Sequence, residues 1–278
     1  MKKFAAILLS LVLTLTVALA DSIYVVSRED GSGTRAAFIE LTGVEQKDAD
    51  GNKVDMTTVE AAVYSGTSEV KTTVSQDIAA IGYISLGALN DTVKAVKVDG
   101  AEATVDNVKA GTYKLSRPFN IATKGEPTGV AKDFINFILS KKGQAVVTDN
   151  KYIAVDDNAA AFTSDGSSGQ IAVGGSSSVS PVMEKLIEAY KAVNPNASID
   201  LQTSDSTSGM TGAMDGTFAI GMASRELKDE EAAQLTGTAI ALDGIAVIVN
   251  PANTIDELSM DQIKSIYVGD ITDWGDLA

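Results

Sequence analysis

Three times in this chain a β-rich run ends in a few glycines and hydroxyl residues and opens into a helical pattern. Gly174-Gly175-Ser176-Ser177-Ser178-Val179-Ser180-Pro181 follows the run Gln170–Val173 and leads into Pro181–Val193. There Val182, Met183, Leu186, Ile187, Tyr190 and Val193 share one helical face. Pro181 suits the first helical position and Ser180 the cap before it. Ser204-Asp205-Ser206-Thr207-Ser208-Gly209 follows the run Ser198–Gln202. Arg28-Glu29-Asp30-Gly31-Ser32-Gly33-Thr34 follows Ile23–Val26 and precedes the helical run Thr34–Leu41. Further strands are expected at Ile78–Leu86, Val93–Val98, Phe218–Met222 and Ile240–Val249. Val130–Val147 reads as one helix. Thr254-x-x-Glu257 and Ser259-x-x-Gln262 are capping-box patterns opening a short helical pair to Tyr267. Such alternation predicts an α/β architecture with mostly parallel strands. Residues 43–56 and the small, polar stretch Asp156–Gly169 read as loops, the second as a linker or surface loop.

The repeated pattern suits anion capture. The first turn of a helix presents N–H groups without intrahelical acceptors at the positive end of the dipole. Glycine permits close approach of the backbone, and hydroxyls add donors. Each hydrogen bond to a charged acceptor contributes roughly 1.5–3 kcal/mol. For a single loop, capping with turn glycines is explanation enough; three loops of one kind favour a shared ligand. Arg28, where strand meets loop, can bring a guanidinium to the same anion with Asp30 holding its fork. The alternative is a surface Arg–Asp pair.

Composition closes other routes. With no histidine and no cysteine, imidazole and thiol catalysis, Cys/His zinc sites and haem ligation by either residue are excluded. A formal charge of −15 argues against nucleic acid or an anionic membrane surface as partner. No Walker-type loop and no G-x-S-x-G are present. Ser68-x-x-Lys71 can be written as a Ser/Lys nucleophile pair, but its partner signatures are missing and a solvated helix face explains it. Met1-Lys2-Lys3, then seventeen uncharged residues ending Ala18-Leu19-Ala20, reads as a secretory signal peptide over 1–20. Its removal takes away two lysines and no acid, leaving −17. Secretion to a periplasm or to an extracellular cell surface is expected.

Several segments together resemble one family. They are Gly175–Pro181, Ser206-x-Ser-Gly, Gly221-Met-Ala-Ser-Arg225, Leu242–Pro251, Ile263-x-x-Ile-Tyr-x-Gly-x-Ile-x-x-Trp274 and Arg28–Arg35. The family is the PstS-type phosphate-binding proteins, the secreted receptors of phosphate ABC transporters. The resemblance implies a two-lobe, type II periplasmic-binding-protein fold whose lobes, joined by two crossover strands, close on one phosphate ion. Lys114–Thr123 resembles the returning crossover strand. The order of segments differs from the family's. Residues 22–155 resemble its C-terminal part and 170–278 its N-terminal part, so the chain reads as circularly permuted, joined through 156–169. Fourteen flexible residues reach roughly 20 Å. The implied lobes are 21–112 with 251–278, and 113–250, with crossovers near Thr112–Lys114 and Asn250–Pro251.

Carried over position by position, the resemblance implies phosphate contacts from Arg28, Ser32, Gly33, Thr34, Ser178, Val179 and Ser206, with Asp30 orienting Arg28. Some members place an aspartate, acceptor for protonated phosphate, where Arg225 stands here. Asp243 is the candidate replacement acceptor; otherwise it is a structural partner of Arg225. The implied function is capture of inorganic phosphate for a membrane permease by a monomer that makes and breaks no bond, with no cofactor and no metal. The alternatives are the same fold holding sulfate or molybdate, and a hydrolase built on Ser68 and Lys71.

Overall fold

The computed structural model describes residues 22–277; the expected signal peptide lies outside the described residues. The first half of the chain forms β1 (Tyr24–Arg28), α1 (Gly33–Thr42), β2 (Glu45–Lys47), β3 (Lys53–Asp55), β4 (Ala62–Tyr64), α2 (Thr67–Gln76), β5 (Ala80–Ser85), β6 (Lys94–Ala95), β7 (Lys97–Val98), α3 (Val105–Lys109), β8 (Ser116–Thr123), α4 (Gly129–Ile138) and α5 (Lys141–Asp149). The second half forms β9 (Gly169–Ser176), α6 (Ser180–Lys191), β10 (Ala197–Ser204), α7 (Ser206–Asp215), β11 (Ile220–Ala223), α8 (Asp229–Ala232), β12 (Thr236–Val249), β13 (Glu257–Leu258) and α9 (Met260–Val268).

Local chemistry explains where these elements depart from expectation. The single helix expected over Val130–Val147 is two. The Ser140 hydroxyl donates to the Phe137 carbonyl, ending α4, and accepts from the Gly143 amide, starting α5. Thr254-x-x-Glu257 opens no helix, because Glu257–Leu258 pairs in parallel with β7. The Ser259–Gln262 capping box does form, at the start of α9. Val179, not Ser180, occupies the cap position of α6, and the Ser180 hydroxyl instead donates to the Ser176 carbonyl. Within 43–56, expected as a loop, β2 and β3 form an antiparallel hairpin.

The main sheet runs β10-β9-β11-β8-β12-β5-β1-β4, with β6 added to β12. Pairing is parallel toward both ends and antiparallel around the two central strands. The fourteen-residue β12 joins the halves: its first part, to Gly244, pairs with β8, and Ile245–Val249 pairs with β5.

Two buried apolar clusters flank that junction. One gathers Val26, Phe38, Ile81, Tyr83, Ile263 and Tyr267, with the Phe38 and Tyr83 rings stacked at 3.9 Å. The other gathers Phe119, Phe134, Phe137, Val182, Leu186 and Tyr190. Burying each such side chain stabilises by roughly 1.5–3 kcal/mol. Leu115 and Ile245–Val249 belong to the first cluster, Phe119, Ile240 and Ala241 to the second. Along β8 the core changes between Leu115 and Phe119 and along β12 after Ala241, and Ile153, bridged to Leu242, also belongs to the first cluster. The resemblance puts the crossovers near 112–114 and 250–251; the run Ile245–Val249 is buried beside β5 within the first cluster.

The 156–169 segment has no regular structure but is tied down. Phe162 packs edge-on against Phe137. Buried Asp133 accepts from the Ser164 hydroxyl and the Asp165 amide, as well as from Tyr190 and Asn194. It is a pinned surface loop and not a flexible tether.

Candidate functional site

Four helix starts, one more than the sequence pattern marked, meet between the two cores. They are the N-termini of α1, α2, α6 and α7. At α1, Ser32 caps the helix by accepting from the Arg35 amide. This leaves the Gly33 and Thr34 amides without a protein acceptor among the described residues. Gly33 has to be glycine: a Cβ there would stand 2.3 Å from the Ser206 hydroxyl and 2.8 Å from that of Ser224. The α1 and α7 loops are therefore in van der Waals contact across the junction. The Thr207 amide adds a hydrogen bond to the Gly31 carbonyl.

The hydroxyls form one buried set. Thr34 Oγ1 lies 2.8 Å from Ser178 Oγ and 3.4 Å from Ser224 Oγ. Thr67, first residue of α2, bonds to Ser178 at 3.1 Å and Ser177 at 3.4 Å. Ser176 donates to Ser224, whose amide donates to Ser206. The Arg28 guanidinium enters from the end of β1, with Nη1 donating to Thr67 and Nη2 to Ser177. Ser32, Thr34, Thr67, Ser178, Ser206, Ser224 and Arg28 are all buried. Two grooves lie nearby, one at Arg117 and one at Thr67 and Ser177. One, of about 620 Å³, is lined by Leu41, Lys53, Arg117, Pro118 and Arg225. The other, of about 330 Å³, is lined by Thr67, Ser177, Glu184 and Thr203.

The structure thus brings Arg28, Ser32, Gly33, Thr34, Ser178 and Ser206 together. Other expectations change. Asp30 does not orient Arg28. Its side chain is 97% exposed and pairs with Arg35 Nη1 at 2.8 Å. Glu29 does that work, accepting from Arg28 Nε at 2.8 Å and Nη2 at 2.7 Å. Arg35 also donates to the Arg28 carbonyl and pairs with Asp55, so it fixes the loop backbone. The Val179 amide already donates to the Ser176 carbonyl, and its side chain belongs to the second core. Val179 therefore serves packing and the turn. Asp243 is not the partner of Arg225; Glu231 is, through two bonds of 2.7 and 2.8 Å. Burial pushes the Glu231 carboxyl up, but the Arg225 bonds and the Lys228 amide outweigh it and hold the group below its ordinary value.

Nor does Asp243 touch the hydroxyl set. Directly opposite it on β8 stands Arg117, whose Nη1 lies 3.3 Å from Asp243 Oδ2. Arg117 stands between Asp243 and Thr34, to which its Nη2 donates at 3.0 Å. Ser68 and Lys71 form no catalytic pair: Ser68 is exposed, and Lys71 donates to the Ala88 carbonyl. Sequence reasoning missed Glu29, Thr67, Arg117, Ser177 and Ser224. For Thr67 a signal existed, since Ser65-Gly66-Thr67 stands between a strand and a helix just as the other three loops do.

A family model described as a PBP superfamily domain matches residues 17–142 and 160–278. The chain is 54% identical over 259 residues to phosphate-binding protein PstS 2 of Streptococcus agalactiae, covering 92% of this chain and 88% of that protein. To PstS 2 of Streptococcus pneumoniae it is 47% identical over 255 residues, covering 92% and 87%. The crystal structure of a phosphate-binding protein of a phosphate ABC transporter from Streptococcus pneumoniae is 47% identical. It superposes with a TM-score of 0.74 over 92% of this chain and 100% of that one. Buried hydroxyls at four helix starts, one guanidinium and these relationships agree: the chain belongs to the PBP superfamily, among the PstS-type phosphate-binding proteins.

Proposed function

We propose that this protein is a secreted receptor that encloses one inorganic phosphate ion between its two lobes and hands it to the permease of an ABC importer. It acts as a monomer and catalyses no reaction. The observation that carries this reading is the buried convergence of Arg28, Ser32, Thr34, Thr67, Ser178 and Ser206 from both sides of the central strands. Donors are already fixed by helix starts and by one another, so little ordering is left for binding to cost. Hydroxyls both donate and accept, so a ligand oxygen that carries a proton finds an acceptor. A hydroxyl can equally turn to donate to a sulfate oxygen, so the expected preference for phosphate rests on the family relationship and not on these hydroxyls. Titration calorimetry of the full chain with phosphate and sulfate at two pH values tests this. One phosphate per chain, undisturbed by excess sulfate, is expected. Equal affinity for both ions, or no heat with phosphate, overturns it.

We further infer that the halves are permuted relative to the family's usual order. The order of the motifs supports this, as do the match of the family model in two pieces and the proximity of the described ends. The Ile23 amide donates to the Thr272 carbonyl and Ser22 bridges Asp273. Ends this close tolerate rejoining. The full-length matches to the two PstS 2 proteins support an order natural to this branch. A chain rebuilt with 170–277 ahead of 22–155 is expected to fold and to bind phosphate within threefold of the original. Failure of that chain to fold counts against the permutation.

A further inference from the structure

Arg117 is costly to explain by stability alone. It is buried, and among the described residues its Nε and Nη1 make no hydrogen bond. The contact of Nη1 with Asp243 is a charge contact without hydrogen-bond geometry, and the Asp243 oxygen facing it is likewise unpartnered. A guanidinium carries five N–H donors, and leaving them unmade in a dry interior is expensive. The one bond Arg117 does make points into the hydroxyl set, at Thr34. Phe119 supports the guanidinium from below, 5.3 Å from its ring centre. Burial lowers the pKa of Arg117, and the like charge of Arg28 pushes it the same way. Two cations that sense one another across a cluster of hydroxyls form an arrangement that an anion relieves.

We propose that Arg117 is a second guanidinium of the anion site, held on aim by Asp243, and that this pair couples anion binding to proton uptake at the central strands. The proposal rests on the phosphate reading above. Asp243 is faced by Arg117 from β8, by the Ser85 hydroxyl from β5, by the Gly87 amide just after β5, and by the Tyr152 phenol after α5. Burial pushes its carboxyl up to about 6, despite the opposing pull of Arg117, Ser85 and the two amides of Gly87 and Gly244. Burial also raises the Tyr152 phenol, which stays neutral near pH 7. Asp243 is then the member of this group that titrates near neutrality. An anion seated on Arg117 adds negative charge close to Asp243 and raises its pKa further. The bound state holds more protons, so by linkage this pair tightens binding as pH falls toward about 6, and the gain is complete below that.

The test uses calorimetry of the full chain with inorganic phosphate at pH 5 and pH 8. The main variant is the double substitution Arg117→Gln/Asp243→Asn. It removes both charges and so avoids stranding a buried carboxylate. It is expected to lose more than tenfold in affinity at both pH values while keeping its circular dichroism spectrum. Asp243→Asn alone is expected to keep binding but to lose at least threefold of the affinity difference between pH 5 and pH 8. Comparison with the parent chain cancels the ligand's own ionisation. Should the double variant not fold, Arg117→Lys, which keeps the charge and loses the fork, is expected to lose more than fivefold. Variants that bind like the parent, with a parallel pH profile, overturn the role of Arg117 and leave the receptor reading intact. A parent chain that binds no phosphate overturns both.

Discussion

Two arginines reach the same hydroxyls and are held in opposite ways. Arg28, at the end of β1, has every nitrogen engaged: two by Glu29, one also by Ser177, and the third by Thr67. Its carboxylate partner is 20% exposed, so water shares the cost of the pair. Arg117, on β8, makes one hydrogen bond, and its partner Asp243 is wholly buried. An ion pair with one foot in water is inexpensive to keep and contributes little. A dry pair carries a desolvation cost that can exceed its own attraction. The first arginine is assembled before any ligand arrives; the second becomes fully partnered only with one. A site can thus be rigid at one edge and electrically responsive at the other, with Thr34 touching both the Arg117 side and Ser178.

The largest effect expected from breaking this comparison is at its rigid side. Arg28→Ala removes two hydrogen bonds to hydroxyls of the set and the charge behind them. Charge-assisted bonds of roughly 1.5–3 kcal/mol each make a loss of about a hundredfold in phosphate affinity the expected result, with the fold retained. Calorimetry on the variant measures it, and a change under twofold counts against the site itself. The Arg117→Gln/Asp243→Asn variant comes next, with a smaller loss, because Arg117 contributes one edge of the set and not its centre.

How far the sequence showed all this depends on whether the cause was local. α6 was legible from Pro181 and the 3.6-residue spacing of Val182, Leu186 and Tyr190, and α9 from its capping box. Three of the four helix starts were legible for the same reason. The fourth, at Thr67, carried the same loop signal more faintly, because its strand β4 has only three residues. The break between α4 and α5 depends on one hydroxyl, Ser140, that competes with the helix ladder. Arg117 was illegible in principle. It stands opposite Asp243, far away in sequence, and only the antiparallel register of β8 and β12 makes them partners. The apolar run Ile245–Val249 likewise does not say which core receives it; only its pairing with β5 does. The resemblance points to Arg28 with Asp30 as its counter-ion; the structure sets Arg28 against the hydroxyls Thr67 and Ser177 and puts Glu29 at its fork.

That last point yields the smallest and sharpest prediction. Glu29 and Asp30 are adjacent acids, and family pattern alone favours Asp30. In the structure Asp30 is solvent-exposed and pairs with Arg35, which Asp55 also holds. Its loss leaves the loop clasped, so Asp30→Asn is expected to change phosphate affinity by less than twofold. Glu29→Gln keeps the shape but removes the charge and one of the two acceptors that fix the Arg28 fork. Arg28 then keeps its reach to Thr67 and Ser177 with less restraint, and about fivefold weaker binding is expected, on the order of the 1 kcal/mol that a partly exposed pair supplies. Raising the salt concentration should shrink the Glu29 effect, because a partly exposed pair is screened. Side-by-side titration of the two variants decides the matter. A larger loss from Asp30→Asn than from Glu29→Gln returns the orienting role to Asp30 and removes the contrast between a preassembled and a waiting arginine.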